Sequence, residues 1–161
     1  MSIMIVKGAI IKGKKYSDLV FVFLAVIVYI IYWSWISIYR LYTFQAGVFD
    51  LGSIAQEFWL VYHQPFLSIN TLSGFLNRDV MYIFSPLSFF NSYPLILVTQ
   101  TIFLGVPAIF IYLIAINVLK NKVMAVVLSI SYLMYPLLVG INWFDVHNQA
   151  FFIFFLAQKL N

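Results

Sequence analysis

Residues 19–39 read LVFVFLAVIVYIIYWSWISIY, twenty-one residues without a charge. At about 1.5 Å per helical residue this run spans the roughly 30 Å hydrocarbon core of a bilayer, and it decides the class of the fold. It closes on Tyr32, Trp33, Trp35 and Tyr39, aromatics of the kind that sit at a membrane interface, where a cleaved leader would carry a shorter apolar segment and small residues. The run is therefore read as a retained first membrane helix.

The rest of the chain agrees with that class. Of its 161 residues 64% are hydrophobic, 20% aromatic and 9% charged, and mean hydropathy is +1.00. A soluble domain carries about a quarter charged residues. So few charges cannot cover so apolar a chain in water, so lipid must meet most of its surface. Residues 94–119 and 123–143 form two further apolar runs, joined by the tight basic turn Lys120, Asn121, Lys122. Such a turn predicts an antiparallel helical hairpin. Pro107 and Pro136 fall inside these runs and predict kinks whose freed carbonyls neighbouring helices can satisfy.

The net charge of +4 is not read as a nucleic-acid footprint. Lys7, Lys12, Lys14 and Lys15 precede the first run, and Lys120 and Lys122 flank the turn. By the positive-inside rule both basic clusters face the cytoplasm. That places the N-terminus on the cytoplasmic side of the cell membrane, and residues 40–93 and the segment around Asp145 on the outer side. Without cysteine the chain can form no disulfide and has no thiol for catalysis or metal ligation.

Within the outward loop, residues 44–63 show helical periodicity, with Phe49, Ile54, Phe58 and Val61 forming an apolar stripe suited to lying on the membrane surface. From Pro65 to Tyr93 the mixture of Gly, Pro, Ser and Asn predicts turns, and His63 reads as a loop residue facing solvent. The expected fold is thus all-α, three full spans with a juxtamembrane helix after the first. At the other end, residues 149–161 begin a helix in which only eight consecutive residues, AFFIFFLA, are apolar. As a helix these cover about 12 Å, so the element reads as incomplete and the chain as the front part of something longer.

The polar residues of the outward side are the candidates for chemistry. Asp50 and Glu57 stand seven residues apart, on one face of a helix, with Gln56 and Arg40 as plausible neighbours. At a partly dehydrated membrane edge a carboxylate can act as a general base or hold a divalent ion against a phosphate. The same acids would also be found on the polar face of any interfacial helix. Asp145 and His147 could ligate a metal, or the Asp could orient the His; an N-terminal cap at Asp145 is the simpler account. Arg78 could meet an anionic phosphate bidentately, or pair locally with Asp79. No acid lies in the middle of a span, where ion-coupled transport usually needs one.

Four motifs in order, FDLGSIAQEFW, FSPLSFF, PLILVTQTIFLGVPAIFIYLIA and SYLMYPLLVGINWFDVHNQAFF, resemble the predicted membrane proteins of the domain-of-unknown-function family 2079. The resemblance runs from about Val48 to the C-terminus. That family looks related to the GT-C glycosyltransferases, multi-spanning enzymes that take sugars from polyprenyl-phosphate carriers. The resemblance implies a catalytic acid just after the first helix, matched by Asp50, and an Asp-aromatic-His pattern matched by Asp145 and His147 with Val146 replacing the aromatic. The family commonly has a His where this chain has Ile83, and a Pro where it has Asn148. The implied partners are the bilayer, a polyprenyl-phosphate sugar and further membrane helices, and the implied cofactor a divalent cation, with Asp50, Asp145 and His147 as its candidate ligands. Against the enzyme stands a reading as a membrane remnant or subunit without activity.

Overall fold

The computed structural model describes residues 2–46, 51–52, 63, 93–143, 146 and 149–159. Among them every regular element is a helix: α1 (Ser2–Tyr42), α2 (Tyr93–Gly105), α3 (Pro107–Leu119), α4 (Lys122–Leu133), α5 (Pro136–Trp143) and α6 (Gln149–Lys159). Three helical segments are long and apolar enough to cross a membrane: Ser17–Tyr42, Tyr93–Leu119 and Lys122–Trp143. The second and third are each built from two helices because a proline interrupts them.

Both interruptions follow from proline's missing N–H. Pro107 has no proton for the carbonyl one turn earlier, and the chain passes from α2 to α3 through Val106, whose own carbonyl takes a tighter bond from the Ile109 N–H (2.9 Å). Beside that break the Tyr132 hydroxyl on α4 donates to the Leu104 carbonyl (3.1 Å), a neighbouring helix capping backbone that the break exposes. At Pro136 the Tyr135 carbonyl accepts from the Leu138 and Val139 N–H groups (3.0 and 3.2 Å), restarting the helix as α5.

The hairpin turn is made by two residues. Lys120 takes a left-handed conformation (φ 50°) that ends α3, and the Asn121 side chain accepts from the Met124 N–H as the N-cap of α4. α3 and α4 then pack along their length, α1 packs against α2, and α6 lies on α2 and α3. Lipid is as apolar as leucine, so burial alone does not drive these contacts; close packing through small side chains does. Accordingly Ala108, Ala125, Ser129, Thr101 and Ala150 have no exposed surface. Val26, Tyr29, Trp33, Leu104, Leu133 and Leu138 fill the centre around them, and a second cluster of Val22, Tyr112, Ala115 and Ala125 lies beside it. A 2.9 Å ion pair from Lys122 to Asp18 ties α1 to the hairpin turn. The basic turn and the start of the α1 span thus share one end of the bundle. Both side chains are solvent-accessible, so salt screens the pair.

At the opposite end, residues 44–46 cap α1 and do not begin a new helix. Leu51, Gly52 and His63 are helical, and His63 is exposed, at the far end of the stretch expected to form the juxtamembrane helix. The remainder of the expected juxtamembrane helix, and residues 65–92, lie outside the described residues.

Candidate functional site

The end of α1 is a Schellman motif. The Gln45 N–H donates to the Arg40 carbonyl (2.9 Å) and the Phe44 N–H to the Leu41 carbonyl (3.3 Å), the paired bonds that close a helix through a left-handed residue. That residue is Phe44, at φ 58°, where glycine is the usual occupant and a side chain costs about 1–2 kcal/mol. Arg40 reinforces the cap, its Nη2 donating to the Gln45 carbonyl at 2.8 Å. Its guanidinium also lies 4.9 Å from the Trp143 ring centroid at the end of α5, a cation–π contact worth about 0.5–2 kcal/mol. The last turns of α1 and α5 are thereby held together.

Below this contact lies a buried polar network centred on Asn142, which is 3% exposed. Asn142 Nδ2 donates to Tyr29 Oη on α1 (2.6 Å) and to the Leu138 carbonyl (3.3 Å). Its Oδ1 faces the Thr101 hydroxyl on α2 at 3.0 Å, and its backbone carbonyl accepts from Ser37 Oγ at 3.2 Å. Thr101 has one proton, which goes either to Asn142 or to the Leu97 carbonyl, also at 3.0 Å. Gln100 Nε2 adds a 3.4 Å contact to the Ile141 carbonyl. Three helices are joined through groups that lipid cannot solvate. One turn from Ser37, the buried Ser34 hydroxyl has no hydrogen-bond partner among the described residues.

Two spaces adjoin the network. One is a void of about 10 Å³ among Ser37, Arg40, Ala46, Leu97, Asn142 and Trp143, on the order of a single water in size. The other is an apolar cleft of about 260 Å³ between the α1 cap and the start of α2. Ala46 lines both.

The site residues expected from sequence, Asp50, Gln56, Glu57, Arg78, Asp145 and His147, lie outside the described residues. Their chain neighbours are partly described. Leu51, next to Asp50, is 4% exposed, and Val146, between Asp145 and His147, is 1% exposed. Asp50, Asp145 and His147, the expected ligands of a divalent cation, are among the site residues outside the described set. Among the described residues no three His, Cys, Asp or Glu side chains come together to hold one.

Asn142, Thr101, Tyr29 and Ser37 were not singled out from sequence. A signal existed: an amide inside a span is expensive in lipid and so faces protein.

The family described as "Predicted membrane protein (DUF2079)" matches residues 40–160. No curated protein and no solved structure matches the chain.

Proposed function

Since the chain belongs to the DUF2079 family of predicted membrane proteins, we propose that it is a GT-C-like glycosyltransferase protein whose parent activity moves a sugar from a polyprenyl-phosphate carrier on the outer membrane face. Asp50 takes the proton from the acceptor hydroxyl as that oxygen displaces the carrier phosphate from the sugar. Glu57, Gln56, Asp145 and His147 support Asp50 or a divalent ion, and Arg78 meets the carrier phosphate. The observation that carries the reading is the Arg40–Trp143 contact of 4.9 Å. It joins α1, which precedes Asp50 in the sequence, to α5, which precedes Asp145. Asp50→Asn is expected to abolish transfer from a polyprenyl-phosphate sugar while membrane insertion stays unchanged; undiminished transfer would overturn the assignment.

Orientation belongs to the same proposal, with the N-terminus and the Lys120–Lys122 turn in the cytoplasm. The cysteine-free sequence makes this directly measurable, because Phe44 is 94% exposed at one end and Lys120 is exposed at the other. In intact cells a membrane-impermeant maleimide is expected to label Phe44→Cys and to leave Lys120→Cys unlabelled until the membrane is opened. The reverse pattern would turn the protein over and place the proposed site inside.

A second reading is a membrane remnant or subunit without catalytic activity, whose spans, buried over only 28%, 33% and 22% of their most apolar stretches, leave apolar faces open to lipid or to further helices. Co-purification of a helical partner in stoichiometric amount would support it.

A further inference from the structure

The apolar cleft is walled by Leu41, Phe44, Ala46, Leu51, Gly52 and Tyr93. Its volume of about 260 Å³ falls below the roughly 300–1,000 Å³ of pockets for drug-sized molecules, and it suits a narrow unbranched chain. Around it Tyr42 is 69%, Tyr93 50% and Trp143 47% exposed, the aromatic signature of interfacial depth. Phe44 presents a ring that is 94% exposed from a left-handed backbone position, so a strained residue holds an apolar surface towards the surroundings. Beside the cleft, through the shared wall of Ala46, stands Arg40. Among the described residues one of its five N–H donors is engaged, by the Gln45 carbonyl, and none pairs with a carboxylate.

We propose that this cleft seats one acyl chain of an anionic phospholipid from the surrounding bilayer, with the lipid phosphate met by the Arg40 guanidinium. The charge argues for an anionic headgroup, since the remaining donors of Arg40 match phosphate oxygens in geometry and sign. The lining argues for the chain, because an apolar cleft at interfacial depth is continuous with the acyl region of the membrane. The assignment is independent of glycosyl transfer, and either can fail without the other.

The test uses the full chain in nanodiscs containing phosphatidylcholine and phosphatidylglycerol, with native mass spectrometry reading the lipids that stay bound. Wild type is expected to keep phosphatidylglycerol in preference to phosphatidylcholine. Arg40→Gln should reduce that preference about fivefold, the effect of one surface cation on an anionic lipid, and Arg40→Lys, which keeps the charge but loses the planar fork, should fall between the two. Gly52→Phe should abolish retention of either lipid. Gly52 lines the cleft and a Cβ there meets no atom of the described residues within 4 Å, so a ring at this position adds bulk to the cleft wall without an immediate backbone clash. Equal retention of the two lipids by wild type, or retention that survives Gly52→Phe, would overturn the proposal. So would displacement of the phospholipid by added polyprenyl phosphate, which would give the cleft to the sugar carrier instead.

Discussion

Gly105→Val is expected to destabilise the bundle by about 2–3 kcal/mol, the upper part of the range for forcing extra carbon into a packed core. Gly105 ends α2 and has no positive φ, so its role is steric and not conformational. A Cβ built there stands 3.2 Å from Ile30 Cγ1 and 3.2 Å from Tyr29 Cδ1, closer than carbon atoms normally approach. Alanine asks those side chains to move by a few tenths of an ångström, and Gly105→Ala should cost about 1 kcal/mol or less, helped by its better helix propensity. Valine adds two methyl groups in the same direction and must separate α1 from α2. Unfolding titrations in mixed detergent–SDS micelles would measure both variants. If Gly105→Val unfolded with Gly105→Ala, the α1–α2 contact would be looser than the geometry requires.

Asn142→Leu is expected to cost about 1–3 kcal/mol by the same titration. Hydrogen bonds between membrane helices average about 0.6 kcal/mol and reach about 1.7, and this side chain has contacts to Tyr29, Thr101 and Leu138. The losses fall unequally. Thr101 can turn its proton to the Leu97 carbonyl, and Ser37 bonds the backbone of residue 142 and keeps its partner. Tyr29 Oη, in contrast, loses the 2.6 Å donor given by Asn142 and stays buried, which is where most of the penalty arises. Thr101→Val should therefore cost less than Asn142→Leu. Because the Gly105 substitution presses on Tyr29, the double variant should lose less than the sum of the two singles. Strict additivity would mean that Tyr29 does not connect the two sites.

Both predictions depend on residues that the sequence presents in different ways. Gln100 and Asn142 are visible as amides inside apolar runs, and that alone marks them as facing protein. Nothing in their spacing announces that Asn142 reaches Tyr29, 113 residues earlier in the chain. Gly105 and Pro107 likewise advertise a bend, but the choice of Tyr132 to cap the Leu104 carbonyl depends on how α4 is turned. The helical periodicity that begins at Phe44 does not reveal that residues 44–46 close α1, because Phe44 occupies a left-handed position that usually belongs to glycine.

What the sequence by itself determined is the membrane class, the three segments apolar enough to span, and the basic turn between the second and third. These depend on transfer of residues from water to lipid, a free energy that adds up locally along the chain. The tertiary structure alone decided which face of each span is covered, which polar groups meet, and that the ends of α1 and α5 are joined by Arg40 and Trp143. Inside a bilayer an apolar side chain gains little by exchanging lipid for protein. Hydropathy therefore carries almost no information about facing, which close packing of small residues and the pairing of buried polar groups have to settle.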